Sequence, residues 1–208
     1  MRKTLHVFQS FELVAPIPLN RTLVGQNKIT GGFDKGADRG ILWTYENHIR
    51  DGASGQSICV LNGASMCLIG GGVGGPRDES RPRREFPSRA PDAVSEIKTL
   101  PQAALIYRLS GDYNPFHVDP EMAEHGGFER PILHGRCTFG IAGRAIVQAL
   151  CADDALHLSK MEARFSSPVF PGEAIRTEIW REGRQVQFRS YVSERDVMVL
   201  DQGYAELR

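Results

Sequence analysis

The sequence predicts an α+β fold in which an antiparallel sheet wraps around one buried helix. The segment Thr138–Leu150 is apolar and carries few charges, which is typical of a helix that is buried on most sides. Strand-like runs, in which apolar and polar residues alternate, occur before and after this segment, with turn signals between them. One buried helix followed by consecutive antiparallel strands is the layout in which a sheet closes around a helix.

The first part of the chain, residues 5–69, is predicted to be rich in strands and to lack a long helix. Alternation begins at Phe11 and continues to Ile17. The later strand-like runs are Thr22–Gly31, Gly40–Ile49 and Ser57–Ile69. Turn-forming residues separate them at 34–36 and 51–55, a spacing that suits an antiparallel sheet.

The second part, residues 96–208, places helices before strands. Short helices are predicted at Gln102–Leu109 and Pro120–His125, ahead of the buried helix. The strand-like runs after it are Lys160–Phe165, Ala174–Glu182, Gln185–Ser193 and Val197–Leu207. A weak repeat relates Leu5-His6-Val7 to Leu133-His134-Gly135, and the residues after each run are loosely alike. It indicates two copies of one fold, of which the first lacks the buried helix.

The connection between the two parts is predicted to be a flexible, solvated linker. Gly70, Gly72 and Gly75 match the spacing G-x-G-x-x-G, but Pro76 and an Arg/Pro/Ser run follow where a dinucleotide site needs a helix. The arginines of this region are Arg77, Arg81, Arg83, Arg84 and Arg89. Their Pro- and Ser-rich surroundings favour a solvated segment over a basic binding patch.

The composition argues against several classes of protein. The 25 basic and 25 acidic residues give a formal net charge of +0, so no overall field favours nucleic acid or an anionic membrane. The four cysteines lack C-x-x-C spacing, which disfavours zinc and is consistent with buried thiols in a reducing compartment. No apolar stretch has the length of a signal peptide core or a membrane span, so a cytoplasmic protein is expected.

The segment Tyr107–Asp119 carries the residues most suited to chemistry. Asp112, Asn114 and His117 occur within six positions, in a stretch that Gly111 and Pro115 mark as a fixed loop. A carboxylate and an imidazole that converge on one water can move protons near neutral pH. The other interpretation is a structural Asp–His pair that only fixes the loop.

A second segment, Pro131–Gly135, precedes the buried helix. A glycine at a helix start allows close approach of a ligand to the backbone, and its N–H can stabilise a developing negative charge. Gly135 is therefore a candidate oxyanion site, with plain helix packing as the alternative. His134 is interpreted as a core histidine whose hydrogen bonds are satisfied.

These residues resemble the hydratase 2 motif of the MaoC-like family. The resemblance rests on Ser110–Asp119 followed by Gly127–Gly135, and it extends to 91–93, 102–104 and 163–165. It implies a double hot-dog fold, in which each repeat wraps an antiparallel sheet around a long helix. In this chain it implies a partial first repeat at 1–75 on the acyl-chain side, a linker at 76–95 and a catalytic repeat at 96–208.

The resemblance also implies an activity: reversible (R)-specific hydration of trans-2-enoyl-CoA, in fatty-acyl or related thioester metabolism, by a homodimer without metal or redox cofactor. The family's catalytic residues fall on Asp112, Asn114 and His117, and its oxyanion N–H falls on Gly135. The substrate contacts that it implies are His6, Val7, Lys35, Tyr113, Pro115, Phe116 and Phe165.

The chain departs from the family pattern at two points. Val7 stands where the family has glycine, and the chain begins about where the first long helix is expected to end. Two alternatives to the hydratase therefore stay open: a dehydratase that acts on acyl-carrier-protein thioesters, and a truncated, inactive module that binds thioesters. A nucleic-acid-binding module is disfavoured because no aromatic residues interleave with the arginine run.

Overall fold

One antiparallel sheet of nine strands dominates the described part of the chain, residues 4–76 and 83–208 of the computed structural model. The strands are β1 (Thr4–Leu13), β2 (Leu23–Asp34), β3 (Ile41–Asp51), β4 (Ser57–Cys67), β5 (Ala93–Lys98), β6 (Leu158–Phe165), β7 (Ala174–Glu182), β8 (Gln185–Val192) and β9 (Val197–Leu207). The α-helices are α1 (Ala103–Arg108), α2 (Pro120–His125) and α3 (Gly135–Leu150).

The two halves of the chain share this sheet through a single strand pair. The strand order is β2-β3-β4-β1-β6-β9-β8-β7-β5, so β1 of the first half meets β6 of the second. Their register runs from Phe8 opposite Arg164 to Glu12 opposite Lys160. The pairing is the structural basis of the cavity described below, because it brings the start of β1 close to the start of α3.

The main core lies between α3 and the strands of the second half. Phe139, Ala142 and Ile146 of α3 are almost fully buried against the sheet. The strand residues of this cluster are Leu158, Met161, Ala163, Ile179, Val186, Phe188, Leu200, Ala205 and Leu207. Burial of large apolar side chains stabilises each by about 1.5–3 kcal/mol relative to exposure, so this cluster fixes α3 against the sheet.

A long helix wrapped by an antiparallel sheet is the hot-dog arrangement, and the predicted α+β hot-dog fold is confirmed. The first half contributes strands β1–β4, and residues 4–76 contain no helix. On β2, at the edge of the sheet, Val24 and Ile29 are more than half exposed.

Most predicted elements are found close to their predicted bounds, and the differences have local causes. The buried helix begins at Gly135 rather than Thr138, because its polar first turn faces a cavity and escapes the apolar pattern. Strand β5 begins at Ala93, within the segment predicted as linker. Its burial alternates residue by residue, but only one face packs on the core, so the run is short and its pattern weak. The division into 1–75, 76–95 and 96–208 stays a prediction.

The end of the connection contacts the sheet, although most residues of 83–92 are exposed. The Arg84 guanidinium forms an ion pair with Glu162 of β6 and lies over the ring of Tyr204, 4.6 Å from its centroid. Arg89 pairs with Asp92 at 2.5 Å. Arg83 lies 3.8 Å from a carboxylate oxygen of β9, whereas Arg77 and Arg81 lie outside the described residues.

The glycine-rich run also differs from a free linker. The carboxylate of Asp34, at the end of β2, accepts N–H bonds from Gly72 at 2.8 Å, Gly36 at 2.8 Å and Gly74 at 2.6 Å. These backbone N–H groups lower the pKa of Asp34. The described residues on either side of the gap, 70–76 and 83–92, form no helix, so they lack the helix that a dinucleotide fingerprint needs.

The four cysteines are free thiols. Cys59 and Cys151 are buried and the other two are half-buried. Burial raises the pKa of the Cys59 and Cys151 thiols, which keeps them protonated at neutral pH. In the part of the chain that the structure describes, no helix combines the length and hydropathy needed to span a bilayer.

Two glycine substitutions should test the packing of the sheet and of α3. A Cβ at Gly203 of β9 would lie 2.2 Å from the carbonyl oxygen of Phe188, so Gly203→Ala should lower the free energy of unfolding by roughly 1–3 kcal/mol. Gly140→Ala in α3 is the matched control. A Cβ there has nothing within 4 Å, and the change should stabilise by up to about 1 kcal/mol. Urea denaturation measures both, and an unchanged stability of Gly203→Ala would contradict the packing described.

Candidate active site

A cavity of about 480 Å³ lies where the first half of the chain meets the start of α3. Its walls from the first half are Thr4, Leu5, His6, Val7, Tyr45 and Ser65. The second half contributes the loop with Asp112, Asn114 and His117, the start of α3 and the end of β6. Four predicted catalytic residues, with Gly135 as the fourth, thus line one cavity.

Short-range hydrogen bonds fix the loop that carries Asp112. Gly111 has a φ of +102°, a conformation that other residues rarely adopt. The Asp112 carboxylate then accepts the N–H of Asn114 at 3.2 Å. The Asn114 side-chain oxygen accepts the N–H of Phe116 at 3.3 Å and so caps a 3₁₀ turn at Pro115–His117. Asn114 acts here on the loop itself, which brings Asp112 and His117 to the same side.

The tautomer of His117 follows from its hydrogen bond to the backbone. Its Nδ1 lies 2.8 Å from the carbonyl oxygen of Ile132, and a carbonyl oxygen only accepts. Nδ1 therefore carries the proton, and Nε2 keeps a lone pair that can accept one. Burial lowers the pKa of His117, so the neutral ring predominates at pH 7.

Asp112, His117 and His134 bring one ligand atom each within 4.8 Å of the others. One water, with hydrogen bonds of about 2.6–3.2 Å to each, can therefore touch Asp112 and His117 together. Two imidazoles and a carboxylate are also a donor set that zinc or iron accepts. The expectation that no metal takes part stays a prediction.

His134 contacts the proposed catalytic residues, which the sequence did not reveal. It is 1% exposed, and its ring stacks on that of His117 with centroids 3.6 Å apart. Its Nε2 lies 3.3 Å from the backbone oxygen of Asp112, whereas the buried Nδ1 has no hydrogen-bond partner among the described residues. The predicted core histidine is thus buried but only half satisfied. Burial lowers the pKa of His134 to about 4, with a further contribution from His117.

Gly135 occupies the first position of α3, where backbone N–H groups have no acceptor within the helix. Because the residue lines the cavity, its N–H is available to an oxygen bound there. A Cβ at this position would lie 3.3 Å from the Phe165 ring. Glycine therefore allows Phe165 to pack against the helix start.

The wall from the first half is built around His6. Its ring lies 4.8 Å from that of Phe165, centroid to centroid, and its Nε2 is 3.2 Å from the Tyr45 hydroxyl. Burial, followed by the charge of Arg136, lowers the pKa of His6 to about 4. Val7 also lines the cavity, at a bulge where the pairing of β1 with β4 is interrupted. The irregular backbone is compatible with a valine at this position.

Not every predicted substrate contact lies at the cavity. Phe116 and Phe165 line it, with His6 and Val7. Lys35 lies in the turn after β2, at the outer edge of the sheet, and Tyr113 is 65% exposed beneath the guanidinium of Arg108. Neither they nor Pro115 contribute to the cavity wall, and their role in substrate binding stays a prediction.

Two further wall residues, Tyr45 and Arg136, were not expected. Tyr45 lies in β3, and in the sequence it is one aromatic residue of an ordinary alternating strand, with nothing to mark it as part of a site. Arg136 directly follows Gly135, and its neighbour in the sequence could have drawn attention to it. The Arg136 guanidinium donates to the Tyr45 hydroxyl at 3.1 Å, which links α3 to β3.

Known proteins match both the sequence and the fold. The profile of the MaoC like domain matches residues 83–202. The chain is 38% identical to enoyl-CoA hydratase 2, peroxisomal, from Arabidopsis thaliana, over 98% of this chain and 68% of that protein. It is 36% identical to peroxisomal multifunctional enzyme type 2 from mouse, over 99% of this chain and 28% of that protein. The chain thus spans less than a third of the mouse relative.

Comparison with solved structures leads to the same family as the sequence comparison. The crystal structure of a MaoC-like dehydratase from Phytophthora capsici superposes with a TM-score of 0.89 at 38% identity, covering 99% of this chain and 72% of that one. Fold, cavity and motif define a hot-dog protein in which an aspartate and a histidine face one cavity at the start of the central helix. The chain belongs to the MaoC-like family.

His6 in the cavity wall and the buried His134 should make stability depend on pH. Unfolded histidine titrates near 6.5, whereas His6 and His134 bind a proton only near pH 4 in the folded chain. As pH falls from 6.5 towards 4, the unfolded state binds more protons, and each histidine removes up to about 1.4 kcal/mol of stability per pH unit. Urea denaturation between pH 7 and 5 should show a smaller loss for His6→Gln than for wild type. Equal slopes would contradict the burial of His6.

Proposed function

We propose that the chain is an (R)-specific 2-enoyl-CoA hydratase, a hydro-lyase that reversibly converts trans-2-enoyl-CoA to (R)-3-hydroxyacyl-CoA. One observation carries the proposal: Asp112 and His117 place their ligand atoms within 4.8 Å of each other in a cavity that Gly135 also lines. That separation suits a single water shared by an acid–base pair. The relatives named enoyl-CoA hydratase 2 support the same chemistry.

In the forward direction, the shared water adds across the C2–C3 double bond. Its oxygen bonds to C3 while one of its protons passes to the acid–base pair, and the pair returns one proton to C2 on the same face. The free lone pair on Nε2 allows the neutral His117 to accept the water proton. Delivery of one proton to C2 restores the starting protonation of the site, so the net change is the addition of H and OH.

Charge that develops on the thioester oxygen needs a donor. The Gly135 N–H, at the positive end of α3, supplies one without any reorganisation of the backbone. Loss of one such donor typically costs about 10²–10³ in rate. Asn114 contributes indirectly, because its cap on the 3₁₀ turn holds His117 in place.

The proposal includes three further expectations. The reaction proceeds without a metal or redox cofactor, because water addition to an enoyl thioester needs only proton transfer and an oxyanion donor. The active form is a homodimer. The location is the cytoplasm, although relatives from mouse and Arabidopsis carry peroxisomal names.

Two alternatives share the same site. A dehydratase for acyl-carrier-protein thioesters would use the same residues, and competition between CoA esters and carrier-protein esters distinguishes it. A truncated thioester-binding module would bind acyl-CoA without turnover.

Substitution of the acid–base pair tests the reaction. Hydration of crotonyl-CoA and trans-2-decenoyl-CoA, followed by loss of enoyl-thioester absorbance, should give the (R)-alcohol on chiral analysis. Asp112→Asn and His117→Ala should each lower kcat by about 10²–10⁴-fold because a proton-transfer partner is lost. Treatment with a chelator should leave the wild-type rate unchanged.

Matched controls come from exposed residues outside the cavity wall. Asp38→Asn and His125→Ala make the same changes and should retain the wild-type rate. Near-wild-type turnover in a folded Asp112→Asn or His117→Ala would contradict the assignment. Binding of acyl-CoA without turnover by wild type would favour the binding module.

His134 should influence the rate through its two neighbours. His134→Phe keeps a ring against His117 but loses the hydrogen bond to the Asp112 backbone, whereas His134→Gln keeps a donor and loses the stack. Misplacement of catalytic groups lowers kcat by up to about 100-fold, so we expect both variants to lose roughly tenfold or more in kcat with KM little changed. Unchanged kcat in both folded variants would show that His134 only fills space.

A further inference from the structure

Arg136 is a charged residue of the cavity that the proposed reaction does not use. It is the second residue of α3, immediately after the Gly135 oxyanion donor, and its side chain is exposed to the cavity. The carboxylate of Asp112 is the acidic side chain among the wall residues of this cavity. Arg136 therefore supplies a fixed positive charge within reach of a molecule bound there.

Neutral groups hold the Arg136 guanidinium in place. Its Nε donates to the Gln9 side-chain oxygen at 3.1 Å, and one terminal nitrogen donates to the Tyr45 hydroxyl at 3.1 Å. Within residues 4–76 and 83–208, no carboxylate forms an ion pair with it. Two of its five N–H donors are thus used, and the charge is left without a counter-ion.

The partners of Arg136 are themselves fixed. Gln9 is 5% exposed, and its amide nitrogen donates to the backbone oxygens of Ser10 at 2.8 Å and Asn62 at 3.1 Å, so its oxygen is oriented toward Arg136. The Tyr45 ring lies against Gly63, where a Cβ would come within 2.2 Å of the ring. An arginine held by rigid neutral partners loses little further freedom when it binds an anion.

We propose that Arg136 binds an anionic oxygen group of the thioester substrate. An arginine fork suits phosphate and carboxylate equally, so the group is either a phosphate of the CoA moiety or a carboxylate in the acyl chain. The inference rests on the proposed function, because it assigns the site a thioester. It adds a specificity-determining residue beside the acid–base pair.

The simpler role for Arg136 is a tie between α3 and the first half of the sheet. A tie and an anion-binding residue make different predictions. Loss of a tie lowers the stability of the protein and changes kcat/KM by the same factor for every substrate. Loss of an anion-binding residue raises KM only for substrates that carry the anion. Because the anion is remote from the reacting carbons, it is bound alike in the ground and transition states, so kcat should change little.

The experiment compares wild type with Arg136→Gln on four thioesters. These are crotonyl-CoA, crotonyl-N-acetylcysteamine, and the CoA and N-acetylcysteamine esters of a trans-2-enedioic acid with a free terminal carboxylate. A charge-assisted hydrogen bond of about 1.5–3 kcal/mol corresponds to a loss of roughly 10- to 100-fold in kcat/KM. A loss restricted to both CoA esters identifies a phosphate, and a loss restricted to both enedioic esters identifies the acyl carboxylate.

Controls separate charge from folding. Arg144→Gln removes an exposed arginine two turns further along α3, outside the cavity wall, and should leave all four values unchanged. Arg136→Lys keeps the charge but not the fork and should recover part of the loss. If Arg136→Gln does not fold by circular dichroism, Arg136→Met takes its place, and a KM unchanged from wild type on all four thioesters then overturns the inference.

Equal kcat/KM for folded Arg136→Gln and wild type on all four thioesters overturns the inference as well. If wild type hydrates none of them, the proposed function fails. The role of Arg136 is then tested separately by calorimetry, which gives the Kd of the unreactive esters butyryl-CoA and succinyl-CoA. A weaker Kd in Arg136→Gln for either ester, without a change in Arg144→Gln, then supports the anion site. An equal Kd of wild type and Arg136→Gln for both esters overturns the inference.

Discussion

The pairing of β1 with β6 is the constraint on which the rest of the structure depends. Five residue pairs, from Phe8–Arg164 to Glu12–Lys160, join the halves into one sheet. The pairing ends next to His6 and Phe165, whose rings then meet across the cavity. A register shift of one residue would turn His6 and Gln9 to the other face of the sheet and remove the wall that faces α3. Sheet register and cavity chemistry are therefore linked.

The second half of the site relies on backbone carbonyls rather than on charged partners. Ile132 fixes the proton of His117, and the Asp112 carbonyl fixes one nitrogen of His134. Two neutral imidazoles can stack because burial lowers the pKa of both. If His134 were charged, it would oppose protonation of His117 at the point where the proposed reaction needs it. The low pKa of His134 thus keeps its ring neutral and leaves His117 free to accept a proton.

Local patterns allowed much of the fold and of the proposed catalytic residues to be predicted. Long strands such as Ala174–Glu182 match their predicted bounds because β-branched and aromatic residues fill them and turn residues follow. Asp112, Asn114 and His117 stand close together in sequence, so a turn is enough to unite them. Tyr45 and Arg136 are 91 residues apart, and only the sheet brings them into contact. Lys35 lies at the sheet edge, outside the cavity wall, and a resemblance does not give its distance from the cavity, so its contact with substrate stays a prediction.

Arg84 and Arg89 illustrate the opposite difficulty. Their Pro- and Ser-rich surroundings suggested a solvated segment, yet each has a carboxylate partner, on β6 for Arg84 and beside β5 for Arg89. Composition describes the chain locally and cannot specify a partner that is distant in sequence. Glu162 is 78 residues from Arg84, and nothing in the arginine run itself points to it.

The connection from β4 to β5 has a consequence for how the cavity behaves on dilution. Two separate chains that paired through strands like β1 and β6 would come apart at low concentration, and each would lose half of the cavity wall. Here both strands belong to one polypeptide, so their encounter is intramolecular and proceeds at a fixed effective concentration. The affinity of the cavity for its ligand should therefore be the same at nanomolar and micromolar protein, whatever larger assembly the chain forms.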